Sequence, residues 1–500
     1  VSLGPWLVPL PDAEQMRAVD RWAIQEQGIP SLELMERAGS GLAALAAEIA
    51  PDGPVVVVCG KGNNGGDGLV AARLLREQHR DVRCLLLADR DELRGDAAAM
   101  AEKVETEPFA ADALDGAAVV VDAILGTGFE GEVRAPAADA IAAMEGRVVV
   151  AADVPSGVNA STGEIAGAAV SARATATFAA PKPGLYIQPG KSHAGEVRVI
   201  DIGIPKGAPG EAMAGLIEDA VLDSIPRRRG NTTKFSSGHV VVAGGSRGLT
   251  GAPILASTAA MRAGAGYVTC FAPESQQPIL AIHLLEVMSR ALPEADGGHT
   301  AEGARLVLDE AEKRGGSLVV GPGLGRTPGA QEFARDIVRR SNVALVLDAD
   351  GLNAHAERLE EIKQGAAQVV LTPHEGELGR LLGRPSAEIA AHRLASAREA
   401  AALAGSTVVL KGDDTIVARA DGFAAISPGA TPALATAGTG DVLSGVIAAL
   451  LAKELDPFTA ACAGVRLHAR AGVLAAERLR GPDGVIASDV IAALPLALAG

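Results

Sequence analysis

The sequence predicts two consecutive α/β domains, each a parallel sheet covered by helices on both faces. Three observations predict it. Short apolar, β-branched runs alternate with helix-like stretches along most of the chain, the pattern of strands buried on both faces. At 500 residues the chain is too long for one ordinary core. Two different glycine turns mark the two halves, one after the first apolar run and one near the end.

The elements follow in order. Helical periodicity runs over about 13–50, with Met16, Val19, Ile24, Leu34 and Leu42 on one face. Residues 55–58 form the first buried strand and run into a glycine-rich turn. A helix over 69–78 precedes strands at 82–87, 118–121 and 148–151, with a helix over 136–144 before the last. From Gly203 to Arg229 the chain turns to Gly, Pro and charge, including Arg227, Arg228 and Arg229. The domain boundary is expected near 225, dividing the chain into 1–222 and 223–500. A second series has strands at 239–243, 268–271, 318–320, 344–347, 369–372 and 407–410, then helices from about 442.

Composition removes several function classes. A net charge of -16 and only 2% aromatic residues argue against a nucleic-acid binder. An acidic chain that binds anionic nucleotides must use helix N-termini and a few Lys or Arg residues. Cys59, Cys84, Cys270 and Cys462 are scattered without a C-x-x-C, so buried, reduced thiols are expected. No leader or membrane-length apolar run is evident. The expectation is a cytoplasmic homo-oligomer acting on small molecules, with neither nucleic acid nor membrane as partner.

The first turn reads Gly60-Lys61-Gly62-Asn63-Asn64-Gly65-Gly66-Asp67-Gly68. It satisfies G-x-G-x-x-G between a strand and a helix, which suits a Rossmann-like dinucleotide domain, with Asp89 as a possible ribose acid. Asp67 fits badly, because a carboxylate at the helix start repels a pyrophosphate; it is otherwise a helix cap. Two more segments sit at strand ends, 121–128 with Asp122 and 153–157 with Asp153 and Ser156. In a doubly wound sheet such ends converge, so Asn64, Asp122 and Ser156 should meet near Asp153. Oxygen donors without His or Cys suit a hard cation.

These segments, together with Leu34-Met35-Glu36-Arg37-Ala38-Gly39, resemble the NAD(P)HX epimerase family over roughly 10–220. That family interconverts the R and S hydrates of NADH and NADPH. The resemblance implies that Asn63, Asn64, Gly65, Gly66 and Asp67 hold the substrate. Gly126, Thr127, Gly128, Phe129, Glu130, Gly131, Glu132 and Asp153 join them, with Asp153 catalytic. It also implies that Asn64, Asp122 and Ser156 bind K⁺. Lys182, in Pro181-Lys182-Pro183-Gly184, matches a family position of unassigned role, or else serves only the turn.

The second turn reads Ala437-Gly438-Thr439-Gly440-Asp441-Val442 and opens a helix. Free N–H groups there make an anion hole, and Asp441 at its mouth can take a proton from an attacking hydroxyl. A capping aspartate after flexible glycines is the plainer alternative. No Walker motif occurs. The arrangement resembles the ribokinase-like superfamily. Segments 244–252, 321–325, 372–377 and 411–415 narrow the resemblance to the ADP/ATP-dependent NAD(P)HX dehydratase family over about 225–498. It implies contacts from Ala252, Gly323, His374 and Asp441 to the hydrated dinucleotide. It further implies contacts from Lys411, Gly412, Asp413, Asp414, Thr415 and Gly440 to the adenine nucleotide, which brings Mg²⁺, with Asp441 as catalytic base. The rival readings are a vitamin or sugar kinase with a regulatory N-terminal half, a non-catalytic nucleotide-binding module, and a Rossmann oxidoreductase.

Overall fold

The computed structural model describes residues 4–499. It divides into two compact units, Pro9–Gly215 and the chain from Leu216 onward, the latter also taking in the segment that ends at Val8. Each is α/β with its own sheet, as the sequence predicts, but the boundary differs from 222. The strand β1 (Leu7–Pro9) lies at the edge of the second unit's sheet beside β9 (Ala214–Ile217). Leu10 N donates to Ala214 O at 2.9 Å, and Glu218 N to Trp6 O at 3.0 Å. Trp6, 8% exposed, packs on Phe458 with ring centroids 6.1 Å apart.

In the first unit, β2 (Val55–Cys59), β3 (Val82–Leu86), β4 (Glu107–Pro108), β5 (Val119–Ala123), β6 (Val149–Ala152), β7 (Ala174–Phe178) and β8 (Glu196–Ile200) form one sheet. Its order is β4-β3-β2-β5-β6-β7-β8, all parallel. The order reverses between β2 and β5, so ligands are expected beyond their carboxyl ends. The periodic stretch 13–50 is two helices, Ala13–Gln25 and Ser31–Ile49. Asp12 and Gln15 close a capping box at the first, and Pro30 precedes the second.

The helix after β2 starts earlier than the sequence suggests, at Asn63, and runs to Glu77 with Gly62 as its N-cap. Gly65, Gly66 and Gly68 therefore lie inside the helix. Close packing explains them: a Cβ on Gly65 would stand 1.9 Å from Gly60 O, and one on Gly68 2.5 Å from the Ala123 side chain. Asp67, in the helix's second turn, is not the cap.

In the second unit β10 (His239–Ala243), β11 (Tyr267–Pro273) and β12 (Met288–Leu292) lead to a small hairpin, β13 (Glu294–Ala295) and β14 (Gly298–His299). Then come β15 (Ser317–Val320), β16 (Ala344–Leu347), β17 (Val369–Leu371), β18 (Thr407–Leu410), β19 (Ile416–Ala418) and β20 (Ala424–Ile426). The sheet order is β1-β9-β20-β19-β18-β17-β16-β15-β10-β11-β12. Strands β10–β12 and β15–β18 are parallel, while β19 and β20 pair antiparallel. The order reverses between β10 and β15. With few aromatics, the cores on both sheets are built from Val, Ala, Leu and Ile, and all four cysteines are free and buried.

Candidate active sites

In the first unit a cavity of about 1000 Å³ opens at the carboxyl ends of β2 and β5. Asn63, Asn64 and Asp67 reach it from the helix after β2, Gly126 to Glu130 from the loop after β5, and Asp153 from the end of β6. Gly65 and Gly66 are turned toward Gly60 and Met35, and Gly131 and Glu132 lie beyond its wall. Asp89 stands outside it as well.

Asp153 is the best-held group. Its φ is +67°, a conformation costly for a residue with a Cβ and common at functional sites. Oδ2 accepts from Thr127 N at 2.9 Å and Thr127 Oγ1 at 2.5 Å, and Oδ1 from Lys182 Nζ at 2.6 Å. Lys182 is 1% exposed and spends its other donors on Thr177 Oγ1 (2.9 Å) and Phe178 O (2.8 Å). Its role is thus to pair with the carboxylate, beyond any service to the turn. Burial pushes the Asp153 carboxyl up, but Lys182 and Thr127 together hold it below its usual range.

Two more carboxyls share the cavity. Asp67 is driven well above the usual range, first by burial and then by Asp153 and Asp20. Asp20, from the first helix, keeps an exposed side chain at the cavity mouth, where partial desolvation and Asp153 raise its carboxyl against Lys182. The sequence showed no reason to choose Asp20, an ordinary polar position on an amphipathic helix. The cavity thus sets an Asp153 whose carboxyl is held low beside an Asp67 whose carboxyl is driven up, two groups whose proton affinities are pushed apart.

Asp122 and Ser156 do come together. Ser156 Oγ donates to Asp122 Oδ1 at 2.6 Å and Ser156 N to Oδ2 at 2.8 Å. Asp122 is fully buried, and among the described residues it has no ion-pair partner. Burial pushes it up to about 6 against the Ser156 and Ile124 hydrogen bonds. Asn64 Oδ1 lies by Gly126, and its buried Nδ2 has no hydrogen-bond partner.

In the second unit the turn Gly438–Asp441 opens the helix Thr439–Leu451. Gly438, at φ +90°, is the N-cap and no side chain caps the helix, so Asp441 is not the cap and the N–H groups of the first turn stay free. Lys411, just beyond β18, extends to this turn: a Cβ on Gly440 would stand 3.4 Å from its Nζ. Lys411 Nζ lies 3.0 Å from Asp348 Oδ1 and 3.6 Å from Glu377 Oε2. Asp348, at the end of β16, also accepts from Ser444 Oγ at 2.6 Å. Burial, then Asp348, pushes Asp441 up to about 7, with Lys411 opposing and Glu377 adding.

The other expected positions have visible local roles. His374 caps the helix Glu375–Leu382, its Nδ1 accepting from Gly376 N at 3.0 Å while Glu377 Oε2 accepts from His374 N at 2.9 Å. Its ring remains 55% exposed. Ala252 lies in the first turn of the helix Gly251–Arg262. Gly323 O accepts from Ser246 Oγ at 3.0 Å, joining the loops after β10 and β15. The 411–415 loop closes on itself, Thr415 Oγ1 donating to Gly412 O at 2.7 Å; Asp413 is exposed on it.

Arg393 holds that loop, and the sequence did not single it out. Arg393 and Asp414 side chains are each 2% exposed. The guanidinium grips both Asp414 oxygens at 2.8 Å and also donates to Glu375 Oε1 at 2.5 Å. A bidentate grip of this kind fixes geometry as well as charge.

The family model described as NAD(P)H-hydrate dehydratase matches residues 240–495, and that described as YjeF-related protein N-terminus matches 31–184. The bifunctional NAD(P)H-hydrate repair enzyme of Salinibacter ruber is 40% identical over 97% of this chain and 95% of its own length. The chain belongs to the bifunctional NAD(P)H-hydrate repair enzymes. The repair enzyme of Moorella thermoacetica is likewise 40% identical, over 97% of this chain and 96% of its own. Among solved structures, the ADP/ATP-dependent NAD(P)H-hydrate dehydratase of Bacillus subtilis, co-crystallised with ATP/Mg²⁺, is 29% identical. It covers 55% of this chain and 94% of its own, with a TM-score of 0.48.

Proposed function

We propose that this repair enzyme epimerises R- and S-NAD(P)HX in its first unit and dehydrates S-NAD(P)HX in its second. The observation that carries the reading is one tuned carboxyl at the strand ends of each sheet: Asp153 held ionised, and Asp441 held near neutrality. In the first cavity, Asp67, whose carboxyl burial drives up, donates a proton to the ring hydroxyl. The C–O bond breaks as the ring nitrogen's lone pair fills in, and water leaves. Water then adds to the other face of the same carbon and gives its proton to Asp153.

In the second site, hydroxide is too poor a leaving group to depart unaided. Asp441 takes the proton of the ring hydroxyl as its oxygen attacks the terminal phosphorus of ADP or ATP, and AMP or ADP leaves. The ring nitrogen then expels phosphate, and loss of a neighbouring ring proton restores NAD(P)H. Lys411 and the free N–H groups at Gly440 meet the charge on the transferred phosphoryl. His374, Gly323 and Ala252 face the dinucleotide in this reading, and the loop held by Arg393 faces the nucleotide. Asp441 and Glu377 are the oxygen donors that would hold Mg²⁺ carried by the nucleotide, and the ion would neutralise phosphate charge.

Asn64, Asp122 and Ser156 fit K⁺ in the first unit, since Asp122 is buried without a countercharge among the described residues and the donors are all oxygen. A bound K⁺ would supply that countercharge. A potassium-dependent rise in melting temperature over tetramethylammonium at equal ionic strength, lost in Asp122→Asn, is the expected result; an equal melting temperature in both salts counts against it. The buried free thiols agree with a reducing cytoplasm, and Ile282 and Leu285, 72% and 85% exposed, are apolar surface that a homo-oligomer would cover. The whole reading is tested by giving the protein mixed R and S hydrates with and without ADP. R and S should interconvert without nucleotide, and reduced-nicotinamide absorbance should return only with it. Accumulation of a stable phosphorylated product would instead mean a kinase.

A further inference from the structure

A second cavity, of about 310 Å³, lies in the second unit at the carboxyl ends of the helices Gly251–Arg262 and Thr439–Leu451. Both helices begin at the proposed dehydratase site, so the cavity lies about 20 Å away, the length of a 13-residue helix. Four cations line it, Arg227, Arg228, Arg262 and Lys453, and no carboxylate does. Among the described residues none of the four is in an ion pair. In a chain of net charge -16, four unpaired cations gathered in a concavity call for a cause.

Helix dipoles explain only two of them. Arg262 ends one helix and Lys453 follows the other, where a cation is favourable. Arg227 and Arg228 come instead from the segment that connects β9 to β10, and the structure holds this segment against the helix ends. Arg228 Nη2 donates to Ala265 O at 3.0 Å and Gly264 O at 3.3 Å, and Lys453 Nζ to Pro226 O at 3.3 Å. Burial, then Arg228 and Arg227, pushes the Lys453 ammonium down to about 8. The crowding is thus unfavourable as it stands, and an anion between the four groups reverses its sign.

We propose that this cavity is a second anion site, binding a small phosphate-bearing molecule away from the catalytic centres. Three guanidinium groups and an ammonium match the oxygens of a phosphate or pyrophosphate. Ile225 and Met261 add an apolar wall for a small organic body. The volume lies at the small end of ligand pockets, which excludes a nucleic-acid strand as occupant.

The test is calorimetric titration of the full chain in phosphate-free buffer, with ADP saturating the nucleotide turn; without hydrate, ADP is not consumed. Inorganic phosphate, pyrophosphate and AMP are titrated separately into wild type, Arg227→Ala/Arg228→Ala and Lys453→Met. Wild type should bind one equivalent of at least one of them, and both variants should lose tenfold or more in affinity. If ADP itself fills the cavity, the wild-type ADP isotherm shows one site more than those of the variants, which also supports the site. AMP binding tighter than phosphate assigns the site to an organic phosphate; equal affinities assign it to the inorganic ion. In phosphate-free buffer the variants should melt close to wild type, the relief of like charges offsetting the lost hydrogen bonds, and the anion should raise the wild-type melting temperature by a few degrees. Superimposable isotherms across the three proteins overturn the proposal. So does a drop in variant melting temperature with binding unchanged, since that is the signature of helix-end cations alone.

Discussion

Replacing Asp441 by Asn keeps the side chain's size and its place in the first turn of the helix Thr439–Leu451, but removes the group that would take the hydroxyl proton. A general base is worth about 10²–10⁴ in rate, or about 2.7–5.4 kcal/mol of barrier at 1.36 kcal/mol per decade. The dehydratase rate of Asp441→Asn should fall by that factor while R and S continue to interconvert. The structure adds a pH dependence. Burial and Asp348 place Asp441 at about 7, so it is protonated and inactive as a base below that pH. kcat/KM should climb tenfold per unit on the acid side and level off above about 8. Glu377 is among the groups that raise Asp441, and Glu377→Gln keeps an oxygen for the His374 N–H. Removing that negative charge favours the Asp441 carboxylate, so the acid limb should move to lower pH. The assay is reduced-nicotinamide absorbance from the S hydrate with ADP, from pH 5 to 9. A near-wild-type rate in Asp441→Asn, or a limb that moves upward in Glu377→Gln, would refute the reasoning.

Lys182→Met leaves Asp153 buried without its cation; breaking such a pair costs about 3–5 kcal/mol, part of it recovered as Asp153 takes up a proton. Denaturant unfolding of the first unit should show the loss, and a change within experimental error would mean that the pair is not needed for stability. Arg393→Met frees Asp414 and the 411–415 loop, so KM for ADP should rise about tenfold, the cost of roughly 1.4 kcal/mol, with a smaller change in kcat and none in epimerisation; a kcat loss at constant KM contradicts a positioning role. Trp6→Ala should cost about 3–5 kcal/mol as an aromatic core truncation, and the lost stability should appear in the dehydratase transition, not the epimerase one. A shift confined to the epimerase transition would contradict the pairing of β1 with β9.

Some assignments could be read from local pattern. The strands at 239–243, 344–347 and 407–410 agree to the residue with β10, β16 and β18, because a short apolar run bounded by turns has no other stable use in a parallel sheet. Asp153 and Asp441 were visible as carboxylates directly after a strand or before a helix. Where local pattern misled, a packing reason is evident. The glycines at 65, 66 and 68 looked like a loop and are the start of a helix, since glycine there answers the close approach of Gly60, Met35 and Ala123, not a need to bend.

The sequence by itself determined the fold class, the two-part division, the order of the strands along the chain, and the carboxyls at their ends. Those depend on period, length and residue type, all of which are local. The tertiary structure alone decided three things. It sent the strand at Leu7–Pro9 to the second sheet, more than 200 residues from its partner β9. It set Lys182 against Asp153, and it brought Arg393 to Asp414 and Lys411 to Asp348. Pairing across such separations has no periodic signature, because it is selected by which buried charge would otherwise stand alone and which sheet edge would otherwise stay unpaired.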